Sequence, residues 1–154
     1  RVHMPLRERV ELFVEVCAGV QHAHQKGVVH RDLKPGNVLV ARQGERAQPK
    51  LIDFGIARAL AGDDDTSDPT LTEAGAVLGT PSYMAPEQLR GDLHRIDTRT
   101  DVYALGAILF ELLTGLRPLA GELGEPAAAF VARQRLAALD VPRPSVAMSR
   151  DPST

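Results

Sequence analysis

Apolar residues recur at helical spacing from Leu6 through Val10, Phe13, Cys17 and Val20, which predicts an amphipathic helix over residues 6–26. Pro5 suits a first turn, and Gly27 stands where the helix should stop. Asn37–Ala41 and Pro49–Ile52 read as short strands. The polar stretch Arg42–Gln48 between them, with its single glycine, predicts a hairpin. Residues 55–82 carry Gly, Asp, Thr, Ser and Pro without a sustained period, the mark of a long loop that is functional or disordered. Pro86–Leu89 predicts a short helix. Asp101–Thr114 is apolar almost all round, so a helix buried on every side is expected, with Asp101 at its N-terminal end and Gly115 as its stop. A further helix is expected from Pro126 to Leu139, and residues 141–154, with prolines and serines, read as a tail or the start of later elements. No internal repeat is visible.

Composition narrows the class without naming a function. A chain of 154 residues, 44% of them hydrophobic, is one globular domain or part of one. The formal net charge of −2 gives no basic excess for nucleic acid and no lysine-rich face for a membrane surface. Cys17 has no partner for an internal disulfide, and a buried apolar role in a reducing compartment is expected for it. No basic-then-apolar leader opens the chain. The apolar run Val102–Leu113 is interrupted by Gly106 and Glu111 and is shorter than the roughly 20 residues a bilayer requires. A cytoplasmic location is expected, with any membrane anchor lying outside this segment.

The chemistry concentrates in His30-Arg31-Asp32-Leu33-Lys34-Pro35-Gly36-Asn37. A carboxylate at Asp32 can accept the proton of a hydroxyl and orient it for attack. Lys34 can stabilise negative charge on a phosphoryl group in transfer. Asn37 offers a neutral oxygen to a hard cation such as Mg²⁺, and Asp53 adds a carboxylate. His22 and His24 do not form a metal pair, because helical residues two apart point to nearly opposite sides. The alanine run at 127–129 is helix propensity. Taken alone, the triplet Asp32, Lys34 and Asn37 also fits a surface turn with solvated charges.

The order of motifs decides between these readings. His30-Arg31-Asp32 with Asn37, then Asp53-Phe54-Gly55, then Ala85-Pro86-Glu87 resembles the signature set of protein kinases. The resemblance runs from about Leu6 to Pro118, and "HQKGVVHRDLKPGNVLV", "DFGIARAL" and "GTPSYMAPEQL" look most like bacterial members of the serine/threonine class. It implies an α+β fold: a kinase C-terminal lobe, mainly α-helical, with a short β-hairpin carrying the metal-binding segment and the N-terminal lobe absent. Residues 1–154 would then be a partial kinase domain.

The resemblance also implies roles. Asp32 is the catalytic aspartate, Lys34 and Thr80 assist it, and Lys34 also reaches the nucleotide. Asn37 and Asp53 hold Mg²⁺ or Mn²⁺ on the ATP phosphates. Leu39 packs beneath the adenine ring. His30 and Phe54 stack as spine residues, and Gly55 supplies a flexible joint. The Gly79–Glu87 segment receives the substrate peptide. Glu87 pairs with a buried arginine much later in the chain, and Asp101 holds the catalytic loop through backbone hydrogen bonds. Arg31 meets a phosphate on the activation loop, for which Thr66, Ser67, Thr70 and Thr72 are acceptors and Thr72 is favoured by its offset from Gly79. The Asp63–Asp65 run reads as a solvated insertion.

The family's glycine-rich phosphate loop, strand lysine and helix glutamate have no counterpart in these residues. The expected partners are therefore ATP and a protein Ser/Thr hydroxyl in the complete protein, with the fragment alone inactive and a homodimer serving autophosphorylation. The alternatives are a non-catalytic, pseudokinase-like binding module and a small-molecule phosphotransferase. The intact Asp32, Asn37 and Asp53 argue against the first. Lys34 and the "GTPSYMAPE" segment argue against the second.

Overall fold

The computed structural model describes residues 4–43, 46–54 and 81–118, with isolated positions 129, 132, 144 and 145. Residues 55–80, which include Gly55, Thr72 and Thr80, most of 126–139 and most of 141–154 lie outside the described residues. Ala129 and Ala132 are helical and exposed.

Helix α1 spans Leu6–Gln25, starting just after Pro5, whose carbonyl accepts from Arg9 N at 3.1 Å. Gly27, at φ 74°, takes the left-handed conformation that closes the helix. The core-facing line is Arg9, Phe13, Val16 and Val20: Phe13 and Val20 match the expected stripe, and Val16 rather than Cys17 is the buried residue between them. Leu6 is 51% exposed and Val10 38%, whereas Val16 and Val20 are buried. Cys17 is half-buried rather than a full core residue, and its burial pushes the thiol above its ordinary pKa.

Strands β1 (Val38–Gln43) and β2 (Arg46–Leu51) form an antiparallel ribbon, with Val38 opposite Leu51 and Gln43 opposite Arg46. The ladder runs further toward the tip than the sequence suggests, because backbone pairing continues through polar residues. Both strands are edges, so Pro49 is tolerated opposite Val40. The ribbon packs on α1 at Gly19, where a Cβ would meet Leu51 Cδ1 at 3.4 Å.

Helix α2 covers Pro86–Arg90 and α3 covers Thr98–Thr114. α3 starts a turn earlier than expected: its N-cap is Asp97, whose Oδ1 accepts from Arg99 N at 2.8 Å. The Arg99 guanidinium holds the Asp97 carboxyl below its ordinary pKa. Asp101 therefore lies one turn inside the helix, leaving its carboxylate for other work. Nor is α3 buried on every side, since Val102 is 59% exposed. α1 and the turn Pro81–Tyr83 cover part of it, and Val20, Leu33, Tyr83, Ala104, Ala107 and Ile108 form the core between them. Arg9 Nη1 donates to Leu112 O at 2.7 Å, fastening the start of α1 to the C-terminal turn of α3.

Candidate active site

Residues 28–37 run from α1 to β1 through a mostly irregular path, with His30, Leu33 and Asn37 buried and Pro35–Asn37 forming one 3-10 turn. An irregular buried backbone has no ladder of its own, so its N–H and C=O groups need partners from elsewhere. Asp101, 1% exposed, supplies two of them. Its Oδ2 accepts from His30 N and its Oδ1 from Arg31 N, each at 2.8 Å. Asp101 Oδ2 also accepts from His24 Nε2 at 2.7 Å, so α1, the loop and α3 meet on one carboxylate. His22, two residues away, is exposed.

Arg31 has φ 67°, a left-handed conformation that is uncommon for any residue but glycine. It persists where its surroundings over-determine it, and here both flanking peptides are held. The Arg31 N–H goes to Asp101, and the Arg31 carbonyl accepts from Gln88 Nε2 at 2.6 Å.

The next residue, Asp32, turns its carboxylate toward Lys34 and Asn37. Lys34 Nζ donates to Asp32 Oδ2 at 2.7 Å, and Asn37 Nδ2 donates to the same oxygen at 3.1 Å and to Asp32 O at 2.8 Å. The Asp32 side chain remains 30% exposed and that of Lys34 24%, so the pair opens to solvent while Asn37 is buried.

The end of β2 is tied to this loop at several points. Ile52 N donates to Asn37 O at 3.0 Å, and His30 Nε2 donates to Ile52 O at 3.0 Å. The Phe54 ring lies 4.5 Å from the His30 ring, centroid to centroid. Asp53 is therefore pinned between two anchored residues. It is exposed and has φ 54°, a conformation aspartate tolerates better than most residues.

The residues suit a hard cation. Asn37 Nδ2 donates to Asp32, so the oxygen of the same amide is the atom that would meet a cation, and Asp53 brings an exposed carboxylate. Magnesium binds through one or two carboxylates, completing its shell with water and phosphate oxygens. Among the described residues no cluster of three or more His, Cys, Asp or Glu side chains could hold a metal without such help.

Beyond the loop, Glu87 Oε1 accepts from Thr100 Oγ1 at 2.6 Å. The Tyr83 hydroxyl donates to the Glu111 carboxylate. Burial first, and Glu111 second, push the Tyr83 hydroxyl up to about 12. Leu39 on β1 is 53% exposed. Thr80, Thr72 and Gly55 fall outside the described residues.

The family model for the protein kinase domain matches residues 1–152. The chain belongs to that family. This kinase domain is 43% identical over 119 residues to the serine/threonine-protein kinase PknB of Mycobacterium leprae, covering 77% of the chain and 18% of the relative. It is 48% identical over 117 residues to the serine/threonine-protein kinase pkn3 of Myxococcus xanthus, covering 74% of the chain and 21% of the relative. The probable serine/threonine-protein kinase CE0033 of Corynebacterium efficiens is 46% identical over 111 residues, 72% of the chain and 16% of the relative. The chain thus spans about a fifth of the length of the curated relatives it matches. Among the described residues no helix is long and apolar enough to cross a membrane.

Sequence reasoning missed three participants. His24 was set aside as a metal ligand, and nothing in its spacing points to Asp101, which is 77 residues away. Thr100 carries no signal beyond standing next to Asp101. Gln88 did carry one: glutamine at the third position of a helix is a capping residue, and Gln88 Oε1 does accept from Ala85 N at 3.0 Å. Its second bond, to Arg31 O, was not legible.

Proposed function

We propose that these residues are the catalytic segment of a protein serine/threonine kinase, which transfers the γ-phosphoryl group of ATP to a protein hydroxyl. The observation that carries this reading is the junction of two separate stretches. Asp32 sits beside Lys34 and Asn37, while Asp53 is fixed at the end of β2 by Ile52 and Phe54, both of which reach the same loop.

In this reading Asp32 orients the substrate Ser/Thr hydroxyl and takes its proton as the oxygen bonds to the γ-phosphorus. The bond from that phosphorus to the bridging oxygen breaks, and ADP leaves with the electron pair. Lys34 offsets charge on the transferring phosphoryl group and holds Asp32 in place. Asn37 and Asp53 would hold the metal ion, which when bound neutralises phosphate charge. Leu39 offers an apolar floor to the adenine ring, and Thr80 joins Asp32 and Lys34 at the substrate hydroxyl. Glu87 and Asp101 brace the substrate floor and the catalytic loop, and Gly55 lets the metal-binding segment move. Phosphorylation of Thr72, by a second copy of the protein, supplies the anion for Arg31.

The test is phosphotransfer to a generic protein substrate by the full-length protein containing this segment. Phosphate should appear on serine or threonine. Asp32→Asn should lower the rate by about 10²–10⁴-fold with the fold retained. Undiminished activity in that variant would overturn the assignment of Asp32. The 154 residues alone should show no turnover, because none of them supplies a glycine-rich phosphate loop or its lysine.

A further inference from the structure

Gln88 is buried, 5% exposed, on the helix that follows the Pro81–Ala85 segment. Both polar ends of its side-chain amide are engaged. Oε1 accepts from Ala85 N at 3.0 Å, the bond that caps α2, and Nε2 donates to Arg31 O at 2.6 Å. The second bond spans 57 residues of sequence. It ends on the carbonyl of the peptide that joins Arg31 to Asp32, so it acts one bond away from the Asp32 backbone. That peptide follows the left-handed Arg31, whose N–H is already held by Asp101. Asp101 fixes one peptide plane and Gln88 the other.

We propose that Gln88 is a positioning residue: by gripping the Arg31–Asp32 peptide it sets the direction of the Asp32 carboxylate relative to the Pro81–Ala85 segment. This inference rests on the kinase reading above, with that segment as the substrate floor, and it names how floor and base are coupled. One amide bridges the two, so a peptide seated on the floor meets a base already aimed at it. A misaimed base costs turnover more than nucleotide binding, because the geometry of attack is what suffers.

The experiment uses the full-length protein with two substitutions. Gln88→Met keeps the length and apolar bulk of the side chain but makes neither bond. Its kcat should fall about 10–100-fold, with KM for ATP within about twofold and a melting temperature close to wild type. Gln88→Glu separates the two bonds. Its carboxylate can still accept from Ala85 N but cannot donate to Arg31 O until it is protonated. Arg31, Asp32 and Lys34 of the loop, Asp101 of α3 and Tyr83 line the cavity shared with position 88, and burial raises a carboxyl pKa. The ratio of Gln88→Glu to wild-type kcat should therefore rise as pH falls from about 8 to about 6. A role confined to capping α2 would leave that ratio flat, and a flat ratio overturns the proposal even if Gln88→Met fails to fold. So does a Gln88→Met kcat within about twofold of wild type. A wild-type protein without phosphotransfer activity sinks the kinase reading and this inference with it. An active wild type with indifferent Gln88 variants sinks this inference alone.

Discussion

The loop of residues 28–37 and the hairpin that follows it are neighbours in sequence and opposites in construction. Residues 38–51 pair strand to strand, so the ribbon satisfies much of its own backbone and can leave Val40 49% exposed. Residues 28–37 have no such ladder. Their shape is imposed by Asp101, Gln88 and Ile52, which lie between 15 and 71 residues away along the chain from the groups they bind. The difference shows where sensitivity to mutation should concentrate. A regular element tolerates changes at its surface, whereas an irregular one depends on a few distant polar side chains whose loss leaves buried donors or acceptors unpaired.

The strongest way to break this contrast is Asp101→Ala. The amides of His30 and Arg31 and the ring of His24 would lose their acceptor together, and an unpaired buried polar group costs about 1–3 kcal/mol. We expect a loss of about 3 kcal/mol or more in stability, read by denaturant titration, together with loss of phosphotransfer. A variant that unfolds like wild type would mean the loop holds its own shape. Next comes Thr100→Val, close in size but without the hydroxyl. It leaves Glu87 without the O–H at 2.6 Å, and about 1–3 kcal/mol should be lost by the same measurement. A loss below about 0.5 kcal/mol would show that Glu87 finds another partner or water.

A pH experiment sharpens the picture at the core. Because the folded state raises the Tyr83 hydroxyl from 10.0 to about 12, the fold favours its protonated form. That contribution is fully present below about pH 10 and is lost as pH rises toward about 12. Wild type should therefore lose stability across this window faster than Tyr83→Phe, as followed by the denaturation midpoint at each pH. Parallel curves would remove Tyr83 from the account. The smallest effect belongs to the hairpin: Val40→Thr on the exposed ribbon should change stability by no more than about 0.5 kcal/mol. A large loss there would erase the contrast between the two regions.

Much of the fold was legible because its signals are local. The expected α1 stripe matches the core at Phe13 and Val20 but not at Leu6 and Val10, which stay exposed, because periodicity alone does not say where a helix finds its neighbour. The start of α3 falls a turn before Asp101, the residue expected there, because the bond from Arg99 N to Asp97 sets the cap.

By itself, the sequence determined the two long described helices, the ribbon, the order of the kinase-like motifs and the membership of the chain in the kinase-domain family, all of which depend on residue type and spacing. Tertiary structure alone decided that one buried carboxylate, Asp101, would gather His24, His30 and Arg31, and that Gln88 would hold the far side of the same turn. The physical reason is that a buried backbone must find its hydrogen-bond partners in space. Separation along the chain does not record which side chains will arrive there.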